Sequence, residues 1–241
     1  MKRNATKLIP EALSVSEYLD AVNLLIGGEQ ALVLGEVVEL RTRGAWVSFS
    51  LKDAQGGAVL KCVLASWKYQ RLGVLLEDGM LVKVGGAARV TKHYGTFGFW
   101  VEHAEPVGEG SLKRAYELLK KKLEVEGLFA RKRPLPECVE RVGVITSKNG
   151  VVIHDFLKNL KPLGMRIYMY DSPVEGVGAI DGLAWALRYW QGRAHVIDVL
   201  VLMRGGGGLE SMQAFNSELV CRELFAMPVP VIAGIGHEVD A

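Results

Sequence analysis

Apolar and polar residues alternate with one period in the first part of the chain and with another in the second. Ser14-x-x-Glu17 has the form of a capping box, and Val15, Leu19, Val22 and Leu25/Ile26 follow at helical spacing. Five strand-like segments come next, near 31–40, 45–52, 57–65, 80–91 and 97–107. They are rich in Val, Phe, Trp and Thr and are mostly separated by Gly-containing turns. The third and fourth are joined by SWKYQRLGVLLEDG, long enough for a short helix. Five short strands with a helix between the third and fourth predict an OB-type β-barrel, an architecture that binds oligonucleotides or oligosaccharides on one face.

A helical segment, SLKRAYELLKKKLEVEG, follows. It carries Leu112, Tyr116/Leu119 and Leu123 on one face, lysines on the other, and Gly127 as its terminating signal. FARKRPLPEC, with Pro134 and Pro136, then interrupts regular structure. Beyond it, continuously apolar segments near 139–146, 165–171, 196–202 and 229–235 alternate with helical patterns near 150–161, 177–191 and 209–226. That alternation predicts a parallel sheet with crossover helices, covered on both faces. The fold class expected is a two-domain α+β chain. It comprises a helix plus five-stranded barrel over 1–109, a helical connector over 110–136, and a parallel α/β domain over 137–241.

The 241 residues carry a net charge of only +2, which removes a strongly basic whole-chain footprint as an argument for nucleic acid. The charge is unevenly placed. The barrel segment balances 12 basic with 12 acidic residues, the connector has 8 against 3, and the last segment 9 against 12. Cys62, Cys138 and Cys221 are odd in number and form no CxxC pair, so a reducing cytosol fits better than a disulfide framework. No run of 18 apolar residues occurs, and the first 20 residues lack the apolar core of a secretion signal.

Glycine is in surplus, with 28 residues. Its densest run, Gly205 to Gly208, follows an apolar segment and Arg204 and precedes a helical pattern. Backbone N–H groups there, with the arginine's fork, suit a phosphate or another anion. The run matches neither GxGxxG nor the Gly-Lys-Ser/Thr of a P-loop, which disfavours a nucleotide cofactor. A plain flexible connection is the competing reading. Polar clusters also follow the other three strand segments: Thr146-Ser147-Lys148-Asn149-Gly150, Asp171-Ser172-Pro173 and Gly236-His237-Glu238-Val239-Asp240. In open parallel sheets these ends line the ligand crevice, so the four clusters predict one shared site. His237 beside carboxylates suits general acid–base work. Of His154 and Asp155, one is expected to face that edge. Asp155, Asp240 and Glu210 together would supply oxygen ligands for Mg2+, although a site built on Arg204 and His237 without a metal fits equally well. His93, His103 and His195 read as structural.

On the barrel, Trp46, Phe49, Trp67, Tyr94, Phe97, Phe99 and Trp100 interleave with Arg41, Arg43, Lys61, Lys68, Arg71, Lys83 and Lys92. Stacking aromatics with phosphate-binding cations describe a single-strand platform. About half of the aromatics must instead be core. Alternation sets Phe97 and Phe99 on one face and Trp100 on the other.

The order and spacing of VLGEVVEL, WVSFSLKD, EPVGEGSLKRAYELLKKKLEVEGLFARKRPLPECVERVGVITS, VVIHDFL, RGGGGLESMQAFN and VCRELFAMPVPVIAGIGHEVD resemble the large subunit of bacterial exodeoxyribonuclease VII over about 15–241. The resemblance implies an OB domain that binds single-stranded DNA and a nuclease domain that degrades single strands from both ends to oligonucleotides. It implies catalytic roles for Asp155, Arg204, His237 and Asp240, a phosphate-binding loop at Gly205, Gly206 and Gly207, and a cytoplasmic enzyme. The resemblance implies members that differ in their need for Mg2+, and the metal stays open. DNA contacts are expected from Trp46, Phe49, Lys61, Trp67, Arg71, Lys92, Tyr94 and Phe97.

Two departures stand out. Where the family reads GRGGGSLEDLW, this chain has MRGGGGLESMQ. The family also continues past GHExD with the rest of the nuclease domain and a long helical region that binds a small subunit. The expectation is therefore a truncated nuclease domain, weakly active or inactive alone, that retains single-strand binding. The alternative is a non-catalytic single-strand-binding module with a vestigial α/β domain.

Overall fold

A computed structural model describes residues 12–53, 56–160, 163–176 and 178–236. Helix α1 (Val15–Ile26) opens with the expected box: Glu17 N–H donates to Ser14 Oγ, and Ser14 N–H donates to Glu17 Oε2. Its apolar stripe is only partly covered. Leu19, Val22 and Ile26 are half-buried, whereas Val15 and Leu25 are exposed, contrary to the uniform stripe expected. What fixes α1 is the Asn23 amide. It donates to Val90 O at 3.0 Å and accepts from Val90 N–H at 2.8 Å, so it serves as one more rung on the edge of the barrel.

Strands β1 (Ala31–Arg43), β2 (Trp46–Lys52), β3 (Val59–Ala65), β4 (Leu81–Val90) and β5 (Phe97–Pro106) close a barrel in the order β1-β2-β3-β5-β4. Helix α2 (Ser66–Arg71) lies between β3 and β4, where the OB pattern puts it. The β3–β5 pair is parallel and closes the barrel, while the other pairs are antiparallel. Alternation sends Val37, Val47, Phe49, Leu51, Cys62, Leu64, Val82, Val84, Phe99 and Val101 inward to a single core.

Helix α3 (Gly108–Val125) buries Leu112, Leu119 and Leu123 and leaves Tyr116 on the surface. It ends as the sequence indicates. Gly127 takes φ +78°, and Leu128 N–H closes the turn on Leu123 O at 3.0 Å.

The remaining strands, β6 (Arg141–Thr146), β7 (Arg166–Asp171), β8 (Val199–Arg204) and β9 (Val231–Ile235), form a parallel sheet ordered β7-β6-β8-β9. Helix α4 (Val151–Leu160) covers the face of Val142, Val144, Val199, Val201 and Met203. Helices α5 (Ala179–Gln191) and α6 (Glu218–Ala226) cover the opposite face, packing with Ile145, Leu200 and Leu202.

Two expectations need correction here. Strand β8 begins at Val199 and not near 196, because Ala194–Val196 form a 3-10 turn, and it runs through Arg204. The helix expected over 209–226 is broken. A 3-10 turn at Leu209–Met212 precedes Ser217, whose Oγ accepts from Val220 N–H at 3.2 Å and starts α6 afresh.

Candidate active site and strand-binding face

From β6 the chain moves outward to β7, then crosses back over β6 to β8 and on to β9. The winding direction therefore reverses between β6 and β8. In open α/β sheets the crevice outside the carboxyl ends of the strands at such a reversal is where ligands bind. The residues that end these two strands are Thr146 and Arg204.

Both are buried polar groups short of partners. Thr146 is 1% exposed, and its Oγ1 meets no hydrogen-bonding atom. The Arg204 side chain is 4% exposed. Its Nη2 donates to Glu175 Oε2 at 3.1 Å, while Nε and Nη1 have no partner. A buried polar group left unpaired costs about 1–3 kcal/mol, more when charged. Two such groups at a topological switch point make this edge the candidate ligand site.

The glycine loop lies directly against the guanidinium. A Cβ placed on Gly207 would stand 2.3 Å from Arg204 Nη2 and 2.7 Å from Ser211 Oγ, so any side chain there would displace the ends of both. Gly205 and Gly208 face open space, and all four loop glycines are exposed. Ser211 Oγ donates to Gly208 O at 2.6 Å and ties the far end of the loop. At the neighbouring β6–α4 turn, Lys148 N–H donates to Asp171 Oδ1 at 2.9 Å. Asp171, at the end of β7, is held below the usual carboxylate range chiefly by that bond.

Asp155 and His154 are both exposed on α4, whose Ile153, Phe156 and Leu157 turn to the sheet. Neither is tied to Arg204 by a hydrogen bond or ion pair among the described residues. His237 and Asp240 lie outside the described residues, as does the side chain of Glu210. Of the three carboxylates considered for Mg2+, the side chain of Asp155 alone is described, and one exposed carboxylate does not make a cation site. Among the described residues no group of three or more His, Cys, Asp or Glu is placed to hold a metal.

On the barrel, Phe49 must be withdrawn from the proposed surface. It is 3% exposed, between the inward-facing Val47 and Leu51 of β2. Phe99 is core too, whereas Phe97, of the same parity, emerges at the strand's end. Trp46, Lys61, Trp67, Arg71, Lys92, Tyr94 and Phe97 are all exposed, Tyr94 at 85%. Lys92 is ion-paired with Asp20 of α1 at 2.7 Å, so its charge is partly spent.

The platform gains two residues absent from the expected contact set. Trp100 meets Trp46 edge to face, with centroids 5.3 Å apart, and Arg89 lies 5.9 Å above the Trp100 ring. The Trp100 indole N–H is buried without a partner. Trp46, Lys61 and Trp100 thus share the outward face of β2, β3 and β5, with Val63 opposite Trp100 and Lys61 opposite Ser50, four residues along β2 from Trp46. Glu175 is the residue of the sheet site that the sequence pattern did not single out. A lone carboxylate in the post-β7 loop gives no local signal of the arginine it meets.

Comparison with known proteins agrees with both halves. Residues 13–105 match the OB-fold nucleic acid binding domain, and residues 129–241 match the family described as exonuclease VII, large subunit. The exodeoxyribonuclease 7 large subunit of Thioalkalivibrio sulfidiphilus is 40% identical over 237 residues, covering 95% of this chain and 52% of that protein. The protein of the same description from Streptococcus pneumoniae is 39% identical over 216 residues, covering 88% of this chain and 48% of its own length. The chain spans about half the length of the curated relatives it matches. Aligned with them through barrel and sheet alike, the chain is similar to the exodeoxyribonuclease VII large subunit, and its residues 129–241 match the model of that family.

Proposed function

We propose that this chain carries the strand-gripping and cleaving parts of an exodeoxyribonuclease that hydrolyses single-stranded DNA from its ends to oligonucleotides. The observation that carries the reading is Arg204, a buried guanidinium with two unpaired nitrogens at the switch point of a parallel sheet, under an exposed glycine loop.

The barrel face of Trp46, Lys61, Trp100 and Arg89 stacks bases and attracts phosphates. It delivers a phosphodiester to the carboxyl edge of the sheet. There the N–H groups of Gly205, Gly206 and Gly207 and the fork of Arg204 take up the negative charge that grows as water attacks in line. Phosphoryl chemistry needs little else but positioning and charge stabilisation. Asp155 is assigned to orient the attacking water. His237 is assigned as general acid or base, oriented by Asp240. No step is assigned to a cation. We place the enzyme in the cytoplasm, acting with a small subunit. Among the described residues no helix is long and apolar enough to cross a membrane.

The test is hydrolysis of 5′- and 3′-labelled single strands, by this chain alone and by the full-length large subunit with its small subunit. Short products from both ends are expected of the assembled enzyme, with double-stranded DNA spared and His237→Ala inactive. An unchanged rate in His237→Ala would remove that residue from the mechanism. Strand binding without turnover in the assembled enzyme would leave a binding module alone.

A further inference from the structure

Besides Arg222, which pairs with Glu126 and Glu218, three arginines in the sheet half meet carboxylates, and one of these three pairs differs from the others. Asp198 takes the Nε and Nη2 of Arg141 and also accepts from the N–H groups of Glu140 and Arg141. Its side chain is 18% exposed. Glu223 takes the Nε and Nη2 of Arg188, accepts from Gln191 and is 14% exposed. These are fully engaged, largely covered structural pairs. Glu175 has a single bond to one nitrogen of Arg204, has no second partner among the described residues and is 62% exposed. The arginine of this pair is nevertheless the most buried of the three. The geometry is that of an anion site filled by whatever carboxylate is at hand.

We propose that Glu175 is a specificity-determining residue that occupies the phosphate position on Arg204 until a DNA phosphate displaces it. This rests on the reading of the sheet edge as a phosphodiester site. Solvent reaches the Glu175 side of this ion pair and it holds by one bond only, so a well-presented ligand can displace it. A phosphodiester can present both non-bridging oxygens to the guanidinium fork, which donates to them side by side, whereas Glu175 engages only one of its two. A free phosphate or another small anion must meet the displacement cost from its own weak binding. A strand already stacked on the barrel brings its phosphates at high local concentration and meets the same cost readily. Glu175 thereby favours strands over loose anions.

The test is a double-mutant cycle on this chain, read by equilibrium titration with a fluorescent 15-nucleotide oligothymidylate at low salt. Glu175→Gln keeps the shape and removes the charge. Arg204→Met keeps the length and removes the fork, and Arg204→Lys replaces it should the first fail to fold, as judged by circular dichroism. Glu175→Gln is expected to tighten binding about threefold to fivefold with Arg204 present, and to have no effect in the Arg204 variant. If the Arg204 variant weakens binding but Glu175→Gln leaves it unchanged or weaker, the inference is overturned while the phosphate reading stands. Tightening that persists without Arg204 also overturns it, since Glu175 would then act only as a general negative charge. If the Arg204 variant binds as tightly as the parent, the phosphate reading itself falls, and the inference with it.

Discussion

A few individual side chains determine how this sheet is held at one edge and left unsatisfied at the other. At the amino edge, Asp198 accepts from Arg141 and from two backbone N–H groups, which together hold its carboxyl down to about 2. This ties the start of β6 to the start of β8. A carboxyl lowered on folding contributes stability that is complete above its ordinary value of about 4 and is lost as the pH falls towards 2. Melting temperature should therefore decline across that window. In Asp198→Asn it should start lower at neutral pH and lose this part of the decline. A flat difference between the two proteins from pH 2 to 7 would show that the pair adds nothing. Thiol chemistry follows from burial in the same way. Burial pushes Cys62 up to about 12 and Cys221 up to about 11, whereas Cys138 is exposed. Alkylation of the native chain should label Cys138 alone until denaturant is added, as read by mass spectrometry of peptides. Arg204 was visible in the sequence as the residue before the glycines. Its burial and its meeting with Glu175 were not, since they depend on a loop 29 residues away.

At the scale of elements, the alternation of apolar and polar positions showed every strand and most helices, and it failed where a short turn replaced a helical period. The shift of β8 from 196–202 to Val199–Arg204 is the consequential one. With Arg204 inside the strand, alternation fixes its side chain on the face of Leu200 and Leu202, toward α5 and α6. That fixed direction brings the guanidinium under Gly207. Gly207→Ala should therefore push the fork aside and cut single-strand hydrolysis by the assembled enzyme at least tenfold with little change in melting temperature. Gly208→Ala, with open space at its Cβ, should be tolerated. Equal loss in both would indicate that loop flexibility, and not room for the arginine, is what the glycines supply. Helix α6 depends on its own start signal, because the run from 209 does not propagate into it. Ser217→Ala removes a buried cap and should lower stability by about 1 kcal/mol in urea unfolding.

At the scale of the whole molecule, barrel and sheet are locked together, and the connector's charge is partly consumed in doing so. Lys122 of α3 donates to both oxygens of Glu218 at 2.8 and 2.7 Å. Arg222 of α6 reaches Glu126 and Glu218. Arg133 donates to Phe225 O at 2.9 Å, and Arg114 pairs with Glu77 of the barrel. The basic connector visible in the sequence is therefore in good part a clasp, with Lys113, Lys120 and Lys121 left exposed. Local pattern could show the charge but not its partners, which come from residues up to 96 positions away. Backbone and side chains also approach closely at Gly73, after α2. It holds φ +74°, and a Cβ there would stand 2.8 Å from both Ile180 Cδ1 of α5 and Ser217 Cβ. Both the backbone angle and the space require glycine. Gly73→Ala should therefore loosen the barrel from the sheet without unfolding either. The expected signature is a melt that splits into two steps, with oligothymidylate affinity falling toward that of the Arg204 variant, because a loosened barrel no longer presents the strand to the sheet at high local concentration. Hydrolysis by the assembled enzyme should fall with it, because the strand is no longer delivered in register to Arg204. A single cooperative transition with unchanged turnover would mean that each domain handles the strand independently of how the two are joined.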